Sequence, residues 1–163
     1  MQPVAHALII ETLKTMARVE RTIATLYSLC AEGTEESRAF WRHLVQEELG
    51  HAAAVQRMAD IVAERPDQFQ PNRAFTVAAV HTILTYVESL IQRVGSTALP
   101  RTDQHHLLCL ARDMEQSLLE SKAGEIVKTT DEGFLSLSRT IVTESVEHKR
   151  AIIRRLAATP KSS

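Results

Sequence analysis

The sequence predicts an all-α protein in which four long helices pack as two helical hairpins. Glycine and proline are scarce, at five each in 163 residues, and aromatic residues make up only 4% of the chain. This composition favours long helices over a sheet. Apolar residues also recur at helical spacing in four long stretches. At this length we expect one domain over residues 1–158, followed by a polar tail at 159–163.

The first hairpin is predicted from two apolar stretches joined by a short connection. The first helix is expected from about Val4 to Glu32, where Gly33 follows as a stop signal. Thr34, followed by two glutamates, is a typical N-cap for a second helix that continues to about Ala63. Because the connection is so short, the second helix should run antiparallel to the first.

A long crossover follows the first hairpin. Two prolines between positions 65 and 72 interrupt the helical pattern. Asn72 can then cap a shorter helix from about Arg73 to Val94. We expect this helix to connect the two hairpins.

The second hairpin is predicted from the last third of the chain. Its first helix is expected to begin at Thr102 with Asp103 and to continue to about Ile126 or Lys128. A tight turn at 129–133 leads into the last helix, which should end near Ala158. The predicted architecture is therefore a four-helix bundle with a helix-containing crossover between its second and third helices.

The charge distribution and the hydropathy of the chain exclude several classes of partner. The net charge of −1 comes from interspersed acidic and basic residues, so no basic face for nucleic acid is expected. No stretch approaches the roughly 20 apolar residues of a membrane span, and the start of the chain lacks the pattern of a signal peptide. We therefore expect a cytoplasmic protein with neither nucleic acid nor membrane as a partner.

The two cysteines give no support for a disulfide or a cysteine-bound metal. Cys30 and Cys109 are far apart in sequence, and neither belongs to a C-x-x-C pair. We expect both to be small, buried apolar residues.

The two hairpins resemble each other in the positions of one Glu and one His. His51 follows Glu20 by 31 residues, and His148 follows Glu115 by 33 residues. Each of these glutamates comes shortly after an Ala-Arg pair. The similarity suggests an internal duplication.

Five side chains suited to bind metal lie on helix faces that are otherwise apolar: Glu20, Glu48, His51, Glu115 and His148. Isolated carboxylates in a dry core cost several kcal/mol each, so the three glutamates need partners. A divalent cation is a partner that all of them can share, and carboxylate with imidazole suits iron, manganese or zinc. One Glu from each of two helices and Glu-x-x-His from the other two is the ligand set of di-metal carboxylate bundles.

The segment Phe40 to Met58, FWRHLVQEELGHAAAVQRM, resembles the second helix of rubrerythrins and related ferritin-like proteins. Glu20, with Tyr27 seven residues later, and the EELGHA stretch stand where that family places ligands in its first two helices. The resemblance implies a ferritin-like four-helix bundle with a di-iron centre. One iron would be held by Glu20, Glu48 and His51, and the other by Glu48, Glu115 and His148.

The family's activities define the expected function and its electron source. The resemblance implies peroxide reduction or ferrous-ion oxidation by up to two iron ions per chain, with manganese or zinc as alternatives. A rubredoxin domain needs four cysteines at one iron, so electrons would come from a separate donor protein. By analogy with other helical bundles we also expect a homodimer, with contacts near Phe134, Leu135 and Leu137.

One position departs from the family pattern. The fourth helix should present Glu three residues before its His, but position 145 is Ser. With one carboxylate missing, the second metal should bind more weakly or not at all. A single-metal site, a weakened di-metal site and an inactive descendant remain open, as does substitution by Glu144 or by Glu88 of the crossover helix.

The alternative hypothesis is a metal-poor ferritin-like bundle that acts as an interaction or scaffold protein, so enzymatic activity is left open. Ser145 is its main support. In either case we expect Glu47, Glu144 and Glu147 to face a neighbouring helix or solvent, and Tyr27 to serve core packing.

Overall fold

A computed structural model describes residues 2–72, 76–120 and 125–161, and these are mostly helical, as the composition predicts. The α-helices are α1 (Gln2–Ala31), α2 (Glu35–Glu64), α3 (Val77–Arg93), α4 (Gln104–Glu120) and α5 (Glu132–Ala158). A short 3-10 helix (Pro66–Gln68) and two strands, β1 (Phe69–Pro71) and β2 (Val127–Thr129), complete the elements. Among these helices, none combines the length and the apolar composition needed to cross a membrane.

Helices α1 and α2 form the predicted first hairpin, and their bounds agree closely with the sequence pattern. Thr34 caps α2, since its hydroxyl accepts a hydrogen bond from the Ser37 backbone N–H at 3.3 Å. The facing sides of the two helices supply much of the core, including Leu13, Ile23 and Trp41, all fully buried. A pair of long helices joined by three residues must run antiparallel.

The crossover helix starts later than the sequence predicts. The N-cap of α3 is Thr76, whose hydroxyl accepts from the Ala79 N–H at 3.2 Å, so the assignment of Asn72 as the cap is wrong. Asn72 instead donates its backbone N–H to the Ile126 carbonyl at 3.1 Å, which holds it in the loop. Arg73, the predicted first residue of this helix, lies outside the described residues.

The predicted extension of the third bundle helix to Ile126 or Lys128 is wrong. Residues 127–129 form β2, which pairs antiparallel with β1 so that Phe69 lies opposite Thr129. Pairing with a distant segment here overrides any helical preference, as is common for β-branched residues such as Val127 and Thr129. The two strands tie the connection after α2 to the connection before α5.

The helix packing places α2 in contact with both its hairpin partner, α1, and the last helix, α5. Helix α1 packs against α2 and α3, α4 packs against α5, and α5 packs against α2. Side chains that point inward from α2 can therefore meet residues of both α1 and α5.

Three sequence predictions about particular residues need correction. Phe134 is buried, with its ring centroid 5.3 Å from that of Phe69, so it belongs to the core and cannot serve a subunit contact. Cys30 is buried as expected, but Cys109 is partly exposed near the His105 ring. Glu88 is partly exposed and pairs with Arg18 at 3.4 Å, so it is no rival to Glu115. The homodimer itself stays a prediction.

The turn between α1 and α2 leaves no room for a side chain, which gives a stability prediction. A Cβ at Gly33 would lie 1.9 Å from the Arg101 carbonyl oxygen, whereas a Cβ at Gly50, within α2, would meet nothing within 4 Å. Gly33→Ala should therefore lower the free energy of unfolding by about 1–3 kcal/mol. Gly50→Ala, the matched control, should raise it by about 0.5–1 kcal/mol. Urea unfolding of both variants checks this, and equal stability of the two would contradict the packing described.

Candidate metal centre

The structure brings the five predicted ligand residues into one buried group. Their side chains come from four helices, and each residue is at most 5% exposed: Glu20 on α1, Glu48 and His51 on α2, Glu115 on α4 and His148 on α5. Each helix presents its polar residue on the stripe that otherwise packs into the core. Whether these residues bind metal depends on their geometry and charge.

Glu48 lies at the centre of the group, between two histidines. Its Oε1 is 2.9 Å from Nδ1 of His148, and its Oε2 is 3.3 Å from Nδ1 of His51, one turn further along α2. The two imidazole rings stack with their centroids 5.1 Å apart. One ligand atom from each of these three residues lies within 4.8 Å of the others. Atoms bound to one tetrahedral ion are about 3.4 Å apart, so small side-chain movements would let the three share an ion.

Several atoms of this group have short contacts but lack hydrogen bonds. Both ring nitrogens of His148 and Oε1 of Glu48 are buried without a hydrogen-bond partner among the described residues. The distance of 2.9 Å between His148 Nδ1 and Glu48 Oε1 is therefore short enough for an ion pair, but the two groups are not oriented for a hydrogen bond. Leaving such atoms unsatisfied costs about 1–3 kcal/mol each. A cation between them would satisfy their lone pairs.

Two further carboxylates contact the outer sides of the histidines. Glu144 on α5 lies 2.8 Å from Nε2 of His51 on α2, and Glu47 on α2 lies 2.9 Å from Nε2 of His148 on α5. Each of these contacts therefore joins a carboxylate on one helix to a histidine on the other. In spatial order the side chains alternate between acid and base: Glu47, His148, Glu48, His51, Glu144.

The contacts of Glu47 and Glu144 with the histidines were not predicted from the sequence, although both residues were expected to face a neighbouring helix or solvent. A signal was present, because each stands four residues before a His, at matching positions of the two hairpins. Carboxylates at the outer nitrogen of a metal-binding His set its orientation and tautomer. Since Glu144 contacts the nitrogen that faces away from Glu48, it orients His51 and does not replace the carboxylate missing at Ser145.

Glu115 and Glu20 complete the buried group. Tyr27 donates its hydroxyl hydrogen to Oε1 of Glu115 at 2.6 Å, so it does more than pack in the core. The same oxygen lies 4.0 Å from Nδ1 of His148. Glu20 lies close enough to Glu48 for the two carboxyl groups to affect each other's protonation. All three carboxyl groups are therefore within one polar cluster.

The protonation of Glu48 and the histidines follows from their mutual contacts. Burial alone would raise the pKa of Glu48, but the close contacts of its carboxylate with the imidazoles of His148 and His51 outweigh burial and lower the pKa to about 2. Burial opposes a charge on His148, but the Glu48 carboxylate, 2.9 Å from its Nδ1, raises the pKa of His148 to about 9. The pKa of His51 is raised, against the effect of burial, by the same carboxylate. Without metal, these contacts stabilise the ionised form of Glu48 and the protonated forms of the two histidines.

The other two carboxyl groups favour the protonated form. Burial, and then the negative charge of Glu48, raise the pKa of Glu115 to about 8, although the hydrogen bond from Tyr27 opposes this. Burial and Glu48 also raise the pKa of Glu20 well above its ordinary value. A metal ion bound at this centre would therefore have to displace protons, and its binding would tighten as pH rises.

These pKa shifts predict how the stability of the metal-free protein depends on pH. The folded pKa values of His148 (about 9, against 6.5) and Glu115 (about 8, against 4.5) are raised, so the folded chain holds protons that the unfolded chain releases. The contribution of these bound protons to the free energy of unfolding is complete at pH values below the unfolded pKa values. It is lost as pH rises towards 9. Each titrating group should reduce the free energy of unfolding by up to about 1.4 kcal/mol per pH unit.

Urea unfolding in the presence of a chelator, at pH values from neutral to 9, measures this slope. Glu115→Gln removes one titrating group and should make the slope shallower. Glu48 acts in the opposite sense, because its folded pKa is lowered to about 2; its contribution is present above 4.5 and is lost as pH falls. A stability that stays constant from neutral pH to 9 would contradict the raised pKa values.

Comparison of the chain with protein-family models, with curated proteins and with solved structures gave no match. The functional assignment therefore rests on the residues of the centre. These residues are carboxylates and imidazoles from four helices, and all of them are buried around Glu48.

Proposed function

We propose that the chain is a ferritin-like metalloprotein of the rubrerythrin kind, in which α1, α2, α4 and α5 form the four-helix bundle. Its non-haem metal centre would reduce peroxide or oxidise ferrous ions. The observation that carries this proposal is the group of buried side chains around Glu48, where three ligand atoms lie within 4.8 Å of one another. Facing helices of a bundle are the usual source of such ligands.

The donor atoms fit a transition-metal ion. Carboxylate oxygen together with imidazole nitrogen suits iron, manganese or zinc, and two His with one carboxylate is a known set for non-haem iron. The buried atoms of His148 and Glu48 that lack hydrogen bonds supply the lone pairs. Bound iron would supply one electron per ion as it passes from ferrous to ferric.

The arrangement favours one firmly held ion and a weaker second. Glu48, His51 and His148 form the compact group, with Glu20 and Glu115 beside it. A second ion would need the protons of both outer carboxyl groups to leave, and it would lack the carboxylate that Ser145 replaces. We therefore propose that the first ion is bound by Glu48, His51 and His148.

Residues around the centre have supporting roles in this proposal. Glu47 and Glu144 hold the imidazole rings so that Nδ1 faces inward. Tyr27 fixes one oxygen of Glu115. Reduction of one peroxide to two waters takes up two electrons and two protons, and we propose that a separate protein supplies electrons for repeated turnover.

A second candidate function is an interaction or scaffold protein without metal. The observation that favours it is the alternating order of acid and base, which pairs Glu48 with two histidines and each histidine with an outer carboxylate. Buried charges paired in this way can persist without an ion. In that case added metal would leave stability unchanged.

Substitution of the three proposed ligands separates the two functions. Zinc or ferrous ion should raise the melting temperature of the wild type, by the equivalent of about 2.7 kcal/mol at a hundred times its dissociation constant. Glu48→Ala, His51→Ala and His148→Ala should each abolish this shift and the bound metal. His81→Ala is the matched control, because His81 is exposed on α3. If every variant retained the metal content and the shift of the wild type, the assignment of the ligands would be wrong.

Restoring the missing carboxylate should strengthen the second metal site. In Ser145→Glu, elemental analysis after anaerobic ferrous loading should rise from about one to about two ions per chain, since the sixth ligand of a di-metal bundle is then present. Ser136→Glu adds the same charge at an exposed position of the same helix and should change nothing. An unchanged ion count in Ser145→Glu would show that position 145 is not what limits the second site.

A further inference from the structure

A pocket with a volume of about 650 Å³ lies between α1 and α2, on the outer surface of the first hairpin. One wall comes from the end of α1, with Ser28 and Glu32, and the other from the first half of α2, with Arg38, Arg42 and Gln46. Pockets that bind small organic molecules commonly have volumes of about 300–1,000 Å³. This pocket is therefore large enough to hold such a molecule.

The pocket is separate from the candidate metal centre. None of the five buried residues of the centre lines it. Arg42 precedes Glu48 by six residues on α2, which corresponds to about 9 Å along the helix axis. Glu48 is buried, whereas Arg42 and Gln46 are exposed. The proposed metal chemistry therefore does not account for the residues of this pocket.

Positive charge predominates in the pocket. The guanidinium groups of Arg38 and Arg42 stand one helical turn apart on α2. Glu32, the carboxylate of the lining, is paired with Arg101 at 2.5 Å, and Arg101 does not itself line the pocket. Within the described part of the chain, no carboxylate forms an ion pair with Arg42. The pocket therefore offers an anion a positive charge that the protein itself does not neutralise.

The second guanidinium group can also become available to a ligand. Arg38 pairs with Glu35, whose side chain is 83% exposed. An ion pair as exposed as this one contributes little to stability, because water screens it. Glu35 can therefore turn into solvent when an anion takes its place, and both arginines can then bind the same anion.

The chemistry of the lining fits a phosphate group attached to an uncharged body. Guanidinium groups bind phosphate through parallel hydrogen bonds to two of its oxygens. A phosphate monoester carries a charge of about −1.5 to −2 at neutral pH, which two arginines can balance. The side-chain amide of Gln46 adds hydrogen-bond donors to the same wall. Ala31 and Val45 contribute apolar surface on which an uncharged ring can lie.

We propose that this pocket binds a small phosphorylated molecule of about the size of a nucleotide. The phosphate lies between Arg38 and Arg42, and the uncharged part contacts Ala31 and Val45. Inorganic phosphate is far smaller than the pocket and makes only the first set of contacts. The proposal does not depend on metal binding, because the two sites share no residue.

Calorimetric titration at constant ionic strength, with adenosine monophosphate, adenosine and inorganic phosphate as probes, tests the ligand class. Adenosine monophosphate should bind once per chain. Adenosine should bind at least tenfold more weakly because it lacks the phosphate, and inorganic phosphate several-fold more weakly because it lacks the ring. An absence of saturable binding of adenosine monophosphate would overturn the proposal, and an equal affinity for inorganic phosphate would overturn the proposed size of the ligand.

Substitutions at exposed positions of α2 test the location of the site. Arg38→Gln and Arg42→Gln should each weaken the binding of adenosine monophosphate at least tenfold. Glu35→Gln should strengthen it several-fold, because it removes the carboxylate that competes with phosphate for Arg38. Arg57→Gln is the matched control: it removes the same charge from an exposed pair with Glu64, fifteen residues beyond Arg42, and should leave the affinity unchanged. Undiminished binding in Arg42→Gln, or an equal loss in Arg57→Gln, would overturn the assignment of this pocket.

Discussion

The carboxylate of Glu48 is buried at the contact between α2 and α5, and its burial requires partners. A buried carboxylate without partners costs several kcal/mol, a large part of the roughly 5–15 kcal/mol by which a domain is stable. Glu48 is 2% exposed and is held by a histidine from its own helix and another from α5. The burial of Glu48 therefore requires α5 to pack on α2, because that packing brings His148 to the carboxylate.

Much of the fold and of the centre could be predicted because both are encoded in local patterns. The apolar spacing gave the bounds of α1 and α2, and the position of Glu20 or Glu48 on an apolar stripe was enough to predict that each is buried. The crossed contacts of Glu47 and Glu144 were missed, because they depend on how α2 and α5 face each other. The pairing of β1 with β2 was missed for a related reason: three-residue strands have no periodicity, and their partners are distant in sequence.

The same side chains can hold either protons or the metal ion that we propose, and this links the structure to the proposed function. Without metal, the contacts of Glu48 favour protons on the histidines, and burial favours the neutral forms of Glu20 and Glu115. A bound ion would displace protons and take their place. On this proposal, Ser145 would reduce the number of bound ions, because a di-metal bundle has a carboxylate at that position. Protons and metal would then compete for the centre.

Metal binding at Glu48, His51 and His148 can be measured by calorimetric titration with zinc or ferrous ion at neutral pH, repeated in buffers of different ionisation enthalpy. The titration measures both the binding of the ion and the number of protons released per ion. We predict tight binding with release of at least one proton per ion, because the pKa of His148 is raised to about 9 and the pKa of His51 is raised as well. An absence of binding, or binding without proton release, would contradict a metal centre built on Glu48, His51 and His148.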